Sequence, residues 1–230
     1  MGLTALIPAR KGSKGIPNKN IIDLFGKPLI YWTIKKAIKA DCFDSIIVST
    51  DSQEIAEISL KYGATVPFLR PEKISNDTAS RNDVINFFYE NINDADELVY
   101  LQPTCPFRSI SSIKNFIDFI RIFPQYPSFS VTEITDNSST ILINENEKWK
   151  YLNVDFKMNR QDSFEKVYKM DGNFFYINKE FWIKNKNNKY DYMRTKETRI
   201  FINKYKNQIE NLDIDTIQDL ELARSLKMNY

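Results

Sequence analysis

Ala5-Leu6-Ile7-Pro8-Ala9-Arg10-Lys11-Gly12-Ser13-Lys14-Gly15-Ile16-Pro17-Asn18-Lys19-Asn20 is the stretch from which the rest of the chain can be read. Residues 3–7, apolar apart from Thr4, predict a buried strand, and Pro8 ends it. A loop rich in glycine and positive charge follows. Gly12 and Gly15 let the backbone take positive φ or come close to a ligand. Successive N–H groups in such a loop can converge on an anion. Arg10, Lys11, Lys14 and Lys19 place cations around the same concavity. A triphosphate would use that charge best, while a solvated basic turn reads the same residues without any ligand. The spacing is neither that of a Walker loop nor that of a dinucleotide-binding fingerprint.

Outward from this loop the chain alternates apolar strands with periodic helices. Pro28 suits a first helical turn, and Ile30, Ile34, Ala37 and Ile38 recur on one face. Residues 45–49 predict a second strand. Ser52 is a candidate cap for a helix that turns Ile55, Ile58 and Tyr62 inward and closes at Gly63. Residues 64–69 predict a third short strand. This β-α-β-α-β rhythm predicts an α/β fold, a mostly parallel sheet with helices on both faces. Ligands of such sheets sit beyond the carboxyl ends of the strands, where the loop, Asp51 and Arg70 fall. Residues 76–80 read as a helix N-cap, followed by Val84, Phe87 and Phe88 on a buried face. Residues 97–101 and 128–134 predict further strands. Between them a helix opens at Ser111 or Ser112, with Ile113, Phe116, Ile117 and Ile120 inward. Residues 135 to about 170 are polar with scattered aromatics and have no clear period; loops this long usually serve a site or an interface. Residues 179–208, dense in lysine and asparagine, read as a solvated face. Asp213 and Asp215 alternate on an extended segment, so their carboxylates share a side and suit Mg²⁺. Asp215 read alone is equally a cap for the last helix, beside Thr216.

Composition narrows the chemistry. The 230 residues suit one domain, 1–230, and 42% apolar residues suffice for a core. Histidine is absent, which excludes His-dependent triads, dyads and metal sites. A net charge of +2 gives no case for nucleic acid. No apolar run reaches about 18 residues and no signal-peptide pattern opens the sequence, so no membrane association is expected. Two cysteines, Cys42 and Cys105, are no disulfide framework; a cytoplasmic protein with free thiols is the expectation.

The opening loop resembles the signature of the CMP-sialic acid synthetases (N-acylneuraminate cytidylyltransferases), roughly P-A-R-x-G-S-K-G-x-x-x-K-N. Further segments follow in order. Arg70-Pro71 through Asp77-Thr78-Ala79-Ser80 is similar to the stretch that holds cytosine and ribose. Gln102-Pro103-Thr104-Cys105-Pro106-Phe107-Arg108 resembles L-Q-P-T-S-P-x-R, with Cys105 in place of serine. No base lies nearby in sequence to activate that thiol. Arg160-Gln161-Asp162 resembles an R-Q motif, and residues 169–177 resemble R-x-N-G-A-I-Y-I. Asp213-Ile214-Asp215-Thr216 matches the closing motif.

The resemblance implies a three-layer α/β/α nucleotide-diphospho-sugar transferase (Rossmann-like) fold. It also implies a small dimerisation and sugar-contact extension at 135–172, and hence a homodimer. The implied reaction joins CTP and a nonulosonic acid into a CMP-sugar and pyrophosphate, for surface glycans. Arg10, Gly12, Ser13 and Lys14 would surround the outer phosphates, Lys19 the α-phosphate, and Asn20 the ribose or sugar. Arg70, Asp77, Thr78, Ala79 and Ser80 would hold the nucleoside. Gln102, Arg160, Gln161, Lys169, Asp171 and Phe175 would meet the sugar, with Arg160 a fork for its carboxylate. Asp213 and Asp215 would carry Mg²⁺. Catalysis would rest on Lys19, Arg10, Asp213 and Asp215, with the proton acceptor open.

Four departures from the family pattern, Lys169, Asp171, Asn173 and Phe175, fall where the sugar is met. The acid is therefore open, with legionaminate plausible. Kdo-type relatives carry an aspartate in the 102–108 turn that is missing here. Pseudaminate members usually lack the Gln-Pro-Thr turn, which counts against that acid. A catalytically idle nucleotide-binding subunit is the reading from another class, opposed by intact Lys19, Asp213 and Asp215.

Overall fold

The computed structural model describes residues 2–134, 142–145, 148–151, 166–187, 191–205 and 207–226. Its strands and helices run in the order β1 (Gly2–Pro8), β2 (Asp23–Leu24), β3 (Lys27–Pro28), α1 (Leu29–Ala40), β4 (Ser45–Ser49), α2 (Gln53–Lys61), α3 (Arg81–Asn91), β5 (Ala95–Tyr100), α4 (Ile110–Ile122), β6 (Ser128–Ile134), β7 (Leu142–Glu145), β8 (Lys148–Tyr151), β9 (Val167–Asn178), α5 (Lys179–Asn185), β10 (Arg199–Ile202) and α6 (Ile217–Ser225). The main sheet has the order β10-β6-β9-β5-β1-β4. β1 runs parallel to β4 and β5, and β6 runs parallel to β10. β9 lies antiparallel between β5 and β6.

β1 is central: residues 3–7 are buried on both faces, apolar except for Thr4, whose hydroxyl pairs with that of Ser45. Leu3, Ala5 and Ile7 pack with Ile30, Ile34 and Ala37 of α1, Ile55 of α2 and Phe116 of α4. Leu6 on the opposite face joins Val84, Ile85 and Phe88 of α3 and Phe181 and Trp182 of α5. The sheet is thus the middle of three layers. A smaller core places Ile16, Leu24 and Trp32 with Ile214, Leu220 and Ala223. It fixes the end of the chain under the opening loop; burying one side chain such as Ile16 or Ile214 stabilises by about 1.5–3 kcal/mol.

Several expectations shift. Residues 64–69 are reduced to two bridges, Ile47 to Thr65 and Thr50 to Leu69, and Pro67 between them has no N–H for a ladder. Ser109, not Ser111 or Ser112, caps α4 by accepting from Ser112 N. Ile38 is largely exposed, so the apolar face of α1 is narrower than its spacing suggests. The Lys/Asn-rich segment contains the edge strand β10, and β9 begins at Val167 as part of the main sheet. Among the described residues no helix is long and apolar enough to cross a membrane.

Candidate active site

The opening loop leaves β1 at the carboxyl edge of the sheet and is pinned at both ends. Ala9 N donates to Ser49 O at 2.9 Å, and Lys11 N donates to Asp51 Oδ1 at 2.8 Å. The buried Asn20 returns its Nδ2 to Arg10 O at 2.9 Å, from a turn of 3-10 helix. Neither Gly12 nor Gly15 has a positive φ; Asn18 takes that role, at φ 53°. Gly15 is required for another reason. A methyl group there would come within 2.4 Å of Asp215 O, so only glycine lets the chain's closing segment lie against the loop.

Asp213 and Asp215 are brought to this loop from almost two hundred residues away. Ile214 N donates to Thr104 O at 2.8 Å, and its side chain is fully buried. The two flanking carboxylates are thereby turned to the other side. Asp215 Oδ1 accepts from Lys19 Nζ at 2.8 Å. Thr216 caps α6 in a reciprocal box with Asp219, so Asp215 does not serve as the cap. Burial pushes the Asp213 carboxyl up; the Thr104 hydrogen bond opposes this, the charge of Asp215 adds to it, and Lys19 and Arg108 pull back. Asp213 Oδ1 is buried without a hydrogen-bond partner. No third metal-ligating side chain completes a cage among the described residues. Two carboxylates with one orphaned oxygen suit a hard dication that takes its other ligands from water and phosphate.

Between the loop and the start of α3 lies a cleft of about 370 Å³. One side carries Arg10, Ser13, Lys14, Lys19, Asn20 and Asp215; the other carries Arg70, Ala79, Ser80, Arg81 and Gln102. Arg70 is buried; its Nε donates to Ser75 Oγ at 3.0 Å, and burial lowers its pKa. Asp77 reaches across to Arg10 Nη2 at 2.7 Å and Lys14 Nζ at 3.5 Å. The hydrogen bond from Arg10 holds the Asp77 carboxyl below its usual range. This carboxylate takes the place of an anion on the very cations read as phosphate ligands. The Thr78 hydroxyl and the Thr78 and Ala79 N–H groups donate to Asn76 Oδ1. Ser80 caps α3 in a box with Asp83, so the capping reading holds for Ser80, which also lines the cleft.

Deeper in, the turn after β5 meets β9. A methyl group on Gly172, φ +71°, would come within 3.1 Å of Asp213 Oδ2 and 3.3 Å of Gln102 Nε2. Buried Arg108 donates through Nη2 to Gln102 O at 3.2 Å and Asn173 O at 2.9 Å; its Nε and Nη1 have no partner. Both Asp171 oxygens are engaged. Oδ1 accepts from Ser130 Oγ and from Asn173 N at 2.9 Å, and Oδ2 accepts from Tyr205. Phe175 is buried beneath Arg81, and Lys169 is exposed on β9 opposite Thr132. None of these three lines the cleft, and Arg160 and Gln161 lie outside the described residues. Burial pushes the Cys105 thiol far up, so it stays protonated and inert. Sequence reasoning passed over Arg81 and Arg108. The first carried a signal, a cation in the opening turn of a helix, where the dipole disfavours it. Nothing in the sequence marks Arg108 as fully buried.

A protein-family model described as Cytidylyltransferase matches residues 4–230. A pseudaminic acid cytidylyltransferase of Campylobacter jejuni is 33% identical over 98% of this chain and 96% of its own length. An N-acylneuraminate cytidylyltransferase of Escherichia coli is 32% identical over 98% of this chain and 52% of its own length. Relatives named for pseudaminic acid and for N-acylneuraminate thus both span nearly the whole of this chain. In fold, the chain matches a solved CMP:2-keto-3-deoxy-manno-octonic acid synthetase complexed with CTP, with a TM-score of 0.73 at 16% identity, covering 98% of each chain. The chain belongs to the cytidylyltransferase family of nucleotidyltransferases.

Proposed function

We propose that this chain moves the cytidylyl group of CTP onto the anomeric hydroxyl of a sialic-type nonulosonic acid. The anomeric oxygen bonds to the α-phosphorus, the bond from that phosphorus to the β-bridging oxygen breaks, and pyrophosphate leaves. The hydroxyl proton passes to an acceptor that stays unassigned. The observation that carries this reading is the meeting of Lys19 and Asp215 at 2.8 Å on the edge of a cation-lined cleft. Lys19 would hold the α-phosphate, where charge builds, and Arg10, Ser13 and Lys14 the outer phosphates. Arg10 and Lys14 must first exchange Asp77 for phosphate. Asp213 and Asp215 would hold Mg²⁺, which neutralises phosphate charge when bound. With little covalent work for the protein, catalysis is positioning and charge neutralisation. Assembly as a homodimer, a cytoplasmic location and a place in surface-glycan synthesis belong to the same proposal, supported by the family resemblance alone.

The test is pyrophosphate release from CTP and Mg²⁺ with N-acetylneuraminate, legionaminate and pseudaminate in turn. Release with at least one acid and none with UTP is expected. Pseudaminate is kept in the panel because a pseudaminic acid cytidylyltransferase is so extensive a relative. CTP binding without turnover of any acid would leave the idle-subunit reading in its place.

A further inference from the structure

Arg81 is a cation that the phosphate reading leaves unused. It lines the cleft beside Tyr100 and Gln102, yet it stands at the first position of α3. A helix dipole disfavours a positive charge there, so the residue is held by other contacts. Its Nη2 donates to both oxygens of Asp191, at 3.1 and 2.9 Å. Its Cζ lies 3.9 Å from the centroid of the Phe175 ring, a stacking that suits a guanidinium better than an ammonium. Side chains from α3, β9 and the segment before β10 therefore fix one planar fork in one pose. Its buried Nε has no hydrogen-bond partner.

Different partners separate Arg81 from the phosphate cations. Arg81 stacks on Phe175, which pairs in register with Tyr100, whereas Arg10 is held by Asp77 and Lys19 by Asp215. With Asp191 as its ion-pair partner, Arg81 is fixed independently of the phosphate cations. Arginine only donates; what it can meet is an oxygen acceptor edge.

We propose that Arg81 is a specificity-determining residue, a clamped fork that takes a carboxylate or carbonyl oxygen of a substrate bound in the cleft. The assignment rests on the cytidylyl transfer proposed above. Two substrate parts offer that chemistry, the carboxylate of the acid and the carbonyl edge of the base, and kinetics distinguishes them.

The experiment compares wild type with Arg81→Gln, Arg81→Lys and Phe175→Leu. CTP is varied at saturating acid, then acid at saturating CTP. Arg81→Gln should raise one KM about tenfold or more, the size of a lost hydrogen bond to a charged group, and leave kcat within about threefold. A rise for the acid assigns the carboxylate; a rise for CTP assigns the base. Arg81→Lys should recover part of the loss, and Phe175→Leu should move the same KM less. Unchanged KM values, or a fall in kcat that tracks a lower melting temperature, would overturn the proposal. If wild type releases no pyrophosphate from any pair, the proposed reaction fails on its own. Calorimetric binding of CTP and of N-acetylneuraminate to wild type and Arg81→Gln then decides: about tenfold weaker binding of either supports the fork, and equal binding of both overturns it.

Discussion

The cleft and the buried layer behind it use charge in opposite ways. At the loop, Arg10, Lys14, Lys19 and Asp215 reach the surface, and their partners are other groups of the site. Behind it, Arg108 and Asp171 are buried and already hydrogen-bonded to the fold itself. Ion pairs that reach solvent contribute little to stability, about 0–1 kcal/mol. Buried polar groups left without partners cost far more. The loop is thus free to exchange its ions for a ligand, while the buried layer of Arg108 and Asp171 is committed to shape.

That contrast predicts which measurements respond. Asp171→Ala should have the largest effect. It strands donors on Ser130, Asn173 and Tyr205 and should lower unfolding free energy by about 3 kcal/mol or more in urea titration. Wild-type stability would mean that the buried network carries no weight. Lys19→Ala should reverse the pattern: melting nearly unchanged, turnover down on the order of 10²-fold or more. Near-normal turnover would remove Lys19 from the chemistry.

Two glycines sharpen the boundary further. Gly15→Ala drives a methyl group into the Asp215 carbonyl and should destabilise by about 1–3 kcal/mol while reducing turnover. Gly12→Ala meets nothing within 4 Å and should leave stability within about 0.5 kcal/mol while weakening CTP binding. Equal stabilities for the two variants would mean that the closing segment does not lean on the loop.

A separate effect, read in the pH dependence of stability, concerns Lys36, whose Nζ donates to Pro106 O behind the 102–108 turn. Burial, helped by Arg108, lowers its pKa from 10.5 to about 8. Below about pH 8 both states hold the proton and the burial penalty is complete. Between about 8 and 10.5 the unfolded chain binds more protons, so stability rises with pH, by at most ~1.4 kcal/mol per unit. Lys36→Met should flatten that rise in denaturation curves taken across the window; an unchanged slope would remove Lys36 as its source.

What could be read from the sequence follows the same divide. The mostly apolar 3–7 run, the glycines and the cations are neighbours in the chain, so β1, its loop and the flanking helices were legible. Asp213 and Asp215 were legible as a pair, because alternation in an extended segment is local. The role of Asp215 turned on which residue caps α6, and that is settled by Thr216 with Asp219. The buried layer and the Arg81 clamp combine residues 81, 102–108, 171–175, 191 and 205, which no local period connects. β9 hid in the same way: its first half carries an exposed Lys169 and the buried Asp171 and Asn173, whose side chains meet Ser130 and Tyr205 rather than water. A Pro at 67 was the visible reason to doubt a strand at 64–69.

Asp215 works at the loop as a ligand-side carboxylate, not as a part of the fold, if the proposed reaction is right. Pyrophosphate release from CTP and the best acid of the panel, measured against added Mg²⁺ for wild type and Asp215→Asn, tests this directly. Wild type should respond to the metal, and the variant should stay silent at every concentration while melting at the wild-type temperature. A folded variant that turns over like wild type would contradict it.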